Sequence, residues 1–285
     1  MRSTRIFAAV IPPTLTHELR RHGRLLVAFS GGVDSAVVAV AARQVLGRDH
    51  MLAAIGVSPS LPAVQLEQAR RIAGAHDVPM HEVATDELAD AGYVANAPDR
   101  CYFCKRELWS RLTTLARAHG FASVADGTIA DDASDHRPGR RAGVEHGVVT
   151  PLADAGLDKA AVRGIAWDLG LPNWDAPAAP CLSSRVLYGI SVTPERLRQV
   201  EAAEAALREV GVTGDLRVRH RGPEARVEVA PAEFARVRAH HQVIAGRLRA
   251  LGFVRVTLDL AGYRRGSLLQ GDGAEIEPLS DRPTE

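Results

Sequence analysis

Ser30-Gly31-Gly32-Val33-Asp34-Ser35 is the stretch of this chain richest in chemical possibility. It follows five apolar residues, Leu25 to Phe29, and precedes a run of Ala, Val and Leu that ends at Leu46. The apolar run reads as a buried strand. The glycine pair reads as a tight turn, and Ala36 to Leu46 as a helix closed by Gly47. A strand, a glycine-rich turn and a helix N-terminus together make an anion site, because outward N–H groups and the helix dipole both favour negative charge. The turn lacks the Gly-Lys-Ser/Thr ending of a Walker loop and instead places Asp34 among small residues. An acid beside a phosphate cradle predicts a bridging magnesium ion. Asp131 and Asp132, which follow a later strand, could complete that ion's shell; a solvated acidic turn is the alternative.

Cys101 and Cys104 form a Cys-x-x-Cys pair, a spacing that lets two sulfurs reach one metal or one cluster. Cys181 brings the count to three. Zinc would need a fourth ligand such as His136, whereas an iron–sulfur cluster held by three cysteines leaves one iron open. Three separate reduced thiols and a dithiol redox pair are the competing readings. Cys181 also has chemistry of its own. It sits beside Ser183, Ser184 and Arg185 after a proline-rich turn, a setting of donors and positive charge that favours a thiolate. A thiolate facing an acyl-adenylate is a competent nucleophile; a packed, inert linker cysteine is the alternative. Arg217, Arg219 and Arg221 alternate with Leu216 and Val218, so period two puts the three guanidinium groups on one strand face. Such a row could hold a phosphate through forked donors, or it could simply be solvated.

The elements that must position these groups follow from the pattern of the chain. Strands are expected at Leu25–Phe29, Met51–Val57, His81–Val83 and Ser123–Ala125. Helices are expected at Thr14–Gly23, Pro62–Gly74, from the Cys101 segment to His119, and at Asp158–Leu169. Alternating strands and helices predict an α/β fold with a parallel sheet and helices on both faces. Ligands on such sheets sit at the C-terminal strand ends, which places Ser58 to Ser60 at the same crevice as Ser30 to Ser35. Residues 1–180 form this first domain. A Pro- and Ala-rich passage from Leu171 leads to a small α+β domain over 181–270: helix Pro194–Val210 with Thr193 as its N-cap, strands Leu216–His220 and Ala225–Val229 joined by a turn at Gly222-Pro223, a long helix Pro231–Leu251, and strand Phe253–Leu260. A polar tail, 271–285, is expected to fray.

With 285 residues, 46% hydrophobic and 24% charged, the composition is that of a globular protein large enough for two domains. A net charge of +1 supplies no global field toward nucleic acid or membrane, and no apolar run reaches the ~20 residues of a membrane span. Met1 to Pro13 only faintly resembles a signal peptide, so a cytoplasmic location is expected. An odd cysteine count argues against a secreted disulfide framework.

Ser30 to Ser35 resembles the PP-loop of the ATP pyrophosphatases, and the wider chain resembles one subgroup, the LarE-type ATP-dependent sulfur transferases. The matching stretches are Ser58-Pro59-Ser60-Leu61-Pro62, Asp99 to Lys105, Asp126-Gly127-Thr128 with Ala130-Asp131-Asp132, Arg137-Pro138-Gly139, Pro180 to Arg185 with Tyr188-Gly189, Leu216 to His220, and Gly262-Tyr263-Arg264. They span about residues 14–268. Ile129 and Ala261 depart from the pattern. The resemblance implies ATP binding by Ser30, Gly31, Gly32, Val33, Asp34, Ser35, Ser58, Gly127 and Thr128, with magnesium on Asp34 and Asp132. It implies catalytic roles for Cys181, Asp34 and Arg185, and substrate-phosphate contacts from Arg217 and Arg219. The implied substrate is a pyridinium mononucleotide with two carboxylates, on the way to the nickel-pincer nucleotide of lactate racemase. One carboxylate is adenylated and becomes a thiocarboxylate. Sulfur would come from a [4Fe-4S] cluster on Cys101, Cys104 and Cys181, resupplied by sulfide or a cysteine desulfurase. The alternative is sacrifice of the Cys181 sulfur itself, leaving dehydroalanine. A homo-oligomer, hexameric in the family, is the implied assembly. A tRNA thiolase, an amide ligase and a non-catalytic nucleotide sensor are the competing readings. Aromatic residues at 5% argue against an RNA-binding face, and no room remains for a glutaminase domain.

Overall fold

The computed structural model describes residues 11–134, 138–177, 180–264 and 276–279. His136 and Arg137, the first a proposed zinc ligand, lie outside them. The described chain forms two compact units.

The first unit opens with α1 (Pro13–Arg21), which buries Leu15 and Leu19, one turn apart on one face. β1 (Leu25–Ala28) leads into α2 (Val33–Leu46). This helix starts three residues before the expected Ala36, so Asp34 and Ser35 belong to its first turn. Most of α2 is buried, and its run of Ala and Val side chains is small enough to let neighbouring helices approach. β2 (Met51–Val57), α3 (Ala63–Ala75) and β3 (Met80–Ala84) follow.

Leu88–Arg100 belongs with the second unit and contains α4 (Ala91–Val94), capped by the Asp90 carboxylate, which accepts from the Gly92 N–H at 2.8 Å. The chain then returns to the first unit through α5 (Arg100–Ala118), β4 (Ser123–Ala125), α6 (Pro138–Glu145), α7 (Pro151–Asp154) and α8 (Lys159–Asp168). The strands form one parallel sheet in the order β3-β2-β1-β4, with Leu25 opposite both Met51 and Ser123. The central strands β1 and β2 are nearly all apolar because helices cover both faces. At the edge, β3 carries exposed His81 and Glu82. Among the described residues no helix is long and apolar enough to cross a membrane.

The second unit holds α9 (Pro194–Glu209), β5 (Leu216–Arg221) and β6 (Glu224–Val229). Thr193 caps α9 as expected, its hydroxyl accepting from the Arg196 N–H. The expected long helix from Pro231 is three pieces: a 3-10 turn at Pro231–Glu233, α10 (Phe234–Ala239) and α11 (His241–Ala250). His240 breaks it, with φ −110° and ψ 17°. Neither Gly nor Pro marks the break, and Val237, Ile244 and Leu248 keep a helical spacing across it while all are buried. β7 (Arg255–Asp259) runs parallel to β6, and β8 (Ile276–Pro278) runs antiparallel to β7. The expected frayed tail therefore supplies a strand, and Leu279 beyond it is buried in this unit's core. An apolar pair in so polar a stretch is too short to read as a strand without its partner.

His220 on β5 has a fixed tautomer. Its Nδ1 accepts from the Gly222 N–H at 3.3 Å, so Nε2 carries the proton toward Gln199 Oε1 at 3.1 Å. Burial, aided by the charge of Arg196, pushes its pKa down to about 4. Because the folded value lies below the ordinary 6.5, this group's contribution to stability is complete above pH 6.5 and is lost as pH falls through 4. Thermal melts between pH 7 and pH 4 should show a fall in midpoint that is smaller in His220→Gln.

Candidate active site

In the first unit the turn at Ser30 to Ser35 is built as a cradle. Gly31 has φ +75°, a left-handed conformation, and a Cβ there would press on Ala69 Cβ and Gln65 O. Ser35 Oγ ties the turn together: it accepts from the Ser30 N–H at 3.2 Å, meets Ser30 Oγ at 3.1 Å and donates to Gly32 O at 3.1 Å. The carbonyls are held from behind. Gln65 Nε2 donates to Ser30 O, and Gln68 Nε2 and buried Asn173 Nδ2 both donate to Gly31 O, all at 2.8–2.9 Å. With its carbonyls engaged this way and no side-chain cap on α2, the turn leaves the helix N-terminus available to an anion.

Gly127 approaches the same point from the end of β4. A Cβ on it would lie 2.7 Å from Ser35 N and 2.9 Å from the Asp34 carbonyl carbon. The Thr128 N–H donates to Asp126 Oδ1 at 2.9 Å. Ser58 donates to buried Glu87 at 2.6 Å and accepts from the Ser60 N–H, which shapes the turn after β2. The Asp34 carboxylate receives Lys159 Nζ at 2.6 Å, and the neighbouring Lys159 N–H binds Asp131. The Asp34 carboxylate is thus already paired with an ammonium. Arg140 donates to the Asp132 carbonyl oxygen. Ile129 is buried in the core, so the departure there serves packing. Gln65, Gln68, Lys159 and Asn173 were not singled out from sequence. The only available signal was the i, i+3 spacing of the two glutamines after the Ser58 turn.

Cys101 and Cys104 lie on the first turns of α5, the first exposed and the second half-buried, and neither is in a disulfide. Gly139 sits against Lys105 and the Cys101 backbone. The i, i+3 spacing puts both thiols on one helix face. Among the described residues, one group of three ligand-type side chains has its polar atoms within 4.8 Å of one another: Glu18, His22 and Asp154. Sequence reasoning did not single it out. Arg21 already reaches both of its carboxylates, Glu18 at 3.1 Å and Asp154 at 4.0 Å.

In the second unit Cys181 precedes a 3-10 turn, Leu182–Arg185. This turn is attached to the edge of the sheet, where Val186 bridges His220 and the Leu187 N–H donates to His220 O. The Arg185 guanidinium is buried. It pairs with Glu204 at 3.0 and 3.2 Å and donates to the Pro180 and Cys181 carbonyls. It thus fixes the backbone at Cys181, and its charge is directed at Glu204. Arg219 pairs with buried Glu228 at 2.8 Å and donates to Ser184 O at 2.9 Å. Arg217 is also buried, so neither arginine belongs to a solvated face. Its guanidinium donates to Leu216 O at 2.6 Å and lies over the Tyr263 ring. Burial, and then the neighbouring Arg185, lower its pKa.

The comparisons with known proteins agree with this architecture. Residues 14–115 match the NAD synthase family. Over 255 residues the chain is 37% identical to the pyridinium-3,5-bisthiocarboxylic acid mononucleotide synthase of Lactiplantibacillus plantarum, covering 90% of this chain and 92% of that protein. The chain belongs to the LarE family of PP-loop proteins. It is also 45% identical over 253 residues to slr1717, an uncharacterized protein of Synechocystis, with 86% of this chain and 91% of that one covered. As a LarE-family protein the chain is an enzyme of the PP-loop ATP pyrophosphatase type.

Proposed function

We propose that this enzyme adenylates a carboxylate of a pyridinium dicarboxylate mononucleotide and converts it to a thiocarboxylate, a step toward the nickel-pincer nucleotide used by lactate racemase. The observation that carries this reading is the cradle itself: an uncapped helix N-terminus, close backbone approach at Gly127, and Asp34 in the first turn. A substrate carboxylate oxygen attacks the α-phosphorus of ATP, and the bond to pyrophosphate breaks. The N–H groups at the start of α2 stabilise the negative charge of the phosphates. A sulfur nucleophile then attacks the acyl carbon, and AMP leaves. Asp34, with Asp132, would hold magnesium once Lys159, paired with the Asp34 carboxylate here, gives way. Arg217 is the better phosphate ligand of the two arginines, because Arg219 already has Glu228.

Cys101, Cys104 and Cys181 are a fitting donor set for a [4Fe-4S] cluster with one iron not held by protein, and such a cluster would supply a transferable sulfide. Sacrifice of the Cys181 sulfur is the second reading, favoured by the backbone anchoring of that residue.

The test is pyrophosphate release and thiocarboxylate formation from the mononucleotide, with iron and acid-labile sulfide measured on protein purified without oxygen. Cluster lost in Cys101→Ala or Cys104→Ala supports the first route. Without iron, intact mass after one turnover should show loss of the elements of hydrogen sulfide at Cys181. Pyrophosphate release that responds to tRNA or ammonia rather than to the dicarboxylate would return the case to another PP-loop chemistry. Light scattering checks the expected hexamer.

A further inference from the structure

In the first unit the turn between β1 and α2 has its carbonyl oxygens engaged and its N–H groups open. Gln65 Nε2 donates to Ser30 O at 2.8 Å. Gly31 O receives two amides, Gln68 Nε2 at 2.8 Å and Asn173 Nδ2 at 2.9 Å. Gly32 O receives the Ala36 N–H at 2.9 Å and the Ser35 hydroxyl at 3.1 Å. Among the described residues the N–H groups of Gly31, Val33, Asp34 and Ser35 donate to no other group, and that of Gly32 makes only a 3.4 Å contact with Ser30 Oγ. In a trans peptide the carbonyl and the N–H point to opposite sides. A Ser30 carbonyl drawn toward Gln65 therefore sends the Gly31 N–H the other way, and a Gly31 carbonyl drawn toward Gln68 and Asn173 does the same for Gly32. A Gly-Gly peptide has other orientations open to it, because glycine meets little steric penalty at either sign of φ. Rotated, the Gly31–Gly32 peptide would put an oxygen where an anion should sit. Holding it leaves the far ends of two amides stranded: Gln65 Oε1 and Asn173 Oδ1 are buried with no partner among the described residues. An acceptor buried without a donor is costly, and the fold tolerates two of them to keep three donors on this turn.

We propose that Gln65, Gln68 and Asn173 are positioning residues that lock the Ser30–Gly31 and Gly31–Gly32 peptides with their N–H groups toward the nucleotide phosphates. They act through the backbone, not by contact with the phosphates. The Gly31 oxygen, with two lone pairs to offer, has two donors on it, which draws its negative charge away from the cradle. The receptive orientation is also populated before ATP arrives, so affinity is not reduced by the fraction of molecules in a rotated state. The hold comes from two directions. α3 lies against the turn, since a Cβ on Gly31 would sit 3.1 Å from Ala69 Cβ, and it carries Gln65 and Gln68 three residues apart on one face. Asn173 comes from the turn that follows α8 and is 5% exposed. The role in ATP binding rests on the reading of this turn as the phosphate cradle; the hold on the peptides does not.

The test uses a feature of the sequence: Gly31–Gly32 is its single Gly-Gly peptide. With glycine labelled at the carbonyl carbon and the amide nitrogen, an NMR spectrum correlating each carbonyl with the following N–H holds one cross-peak from the full chain, Gly31 carbonyl with Gly32 N–H. Gln68→Met keeps the side-chain length and removes the donor. It should move that carbonyl upfield, as a lost hydrogen bond does. It should also weaken binding of ATP and of inorganic pyrophosphate about three- to tenfold, while adenosine, which carries no phosphate, binds as it does to the wild type. Gln65→Met should weaken the two phosphate ligands similarly and leave the Gly31 carbonyl nearly unmoved, because its donor is on Ser30 O. Gln68→Met combined with Asn173→Leu should broaden or split the cross-peak and weaken ATP further. An unmoved carbonyl in Gln68→Met, or ATP and adenosine weakened alike, overturns the proposal. If the double variant fails to fold, Gln68→Met decides alone. The cross-peak is read without ligand, so the two readings fail separately. Wild-type protein that binds neither ATP nor pyrophosphate would remove the cradle, whereas variants that bind ATP as well as the wild type would remove only the positioning role.

Discussion

Gly127→Ala is expected to weaken ATP binding about ten- to a hundredfold while the protein stays folded. The added Cβ would lie 2.7 Å from Ser35 N and 2.9 Å from the Asp34 carbonyl carbon, and both are backbone atoms in the first turn of α2. Backbone cannot swing aside as a side-chain tip can, so either the end of β4 or the start of α2 must shift. Overpacking of this kind costs about 1–3 kcal/mol. The displaced atoms belong to the very turn whose N–H groups would face the nucleotide phosphates. Gly127 is not among the glycines with positive φ, so alanine meets no conformational penalty and the substitution isolates the clash. Titration calorimetry with ATP, paired with a thermal melt, separates the two consequences. Weakened binding in a protein that still melts cooperatively, its midpoint lowered by only several degrees, supports the cradle. Unchanged ATP affinity would mean that the phosphates bind elsewhere, and the assignment of Ser30 to Ser35 would fall with it. Gly31→Ala is a poorer test, because φ +75° would strain any side chain there regardless of ligand.

Much of this site was legible in the sequence, and the parts that were not share a cause. The strand-turn-helix at Leu25 to Leu46 is a local signal, and so are the Thr193 cap and the Gly222-Pro223 hairpin turn. Each was readable because its physics lies within a few neighbouring residues. The supports of the cradle are not local. Asn173 reaches Gly31 across 142 residues, and Lys159 reaches Asp34 across 125. No spacing rule connects them. The same holds for Tyr93, Asn96 and Arg100, which precede the Cys-x-x-Cys segment in sequence yet belong to the unit that carries Cys181. The break at His240 and the strand at Ile276–Pro278 were missed for a related reason. Each is decided by partners elsewhere in the second unit: no Gly or Pro marks the break at His240, and three residues are too few to show a strand period.

The arginine row shows how packing can separate residues that look equivalent in sequence. Arg217 and Arg219 share a strand face by period two, and the family resemblance implies phosphate contacts from both. Their surroundings differ. Arg219 and Glu228 form a buried pair, with 9% and 4% of their side chains exposed. Removing one member of such a pair leaves an uncompensated charge, which costs about 3–5 kcal/mol. Arg219→Met should therefore lower the melting midpoint sharply, and Glu228→Gln placed on top of it should recover part of the loss. Arg217 has no carboxylate paired with it among the described residues, and burial and Arg185 both disfavour its charge. A buried guanidinium in that state is stabilised by an incoming anion. Arg217→Met keeps the length and removes the charge, so the apo protein should melt at the same temperature or higher. The KM for the mononucleotide should rise about ten- to a hundredfold, since charge-assisted bonds to phosphate are among the stronger ones, and inorganic phosphate should no longer protect against unfolding. If Arg217→Met instead melts early and binds substrate normally, Arg217 serves the fold, and the phosphate must be held by another residue.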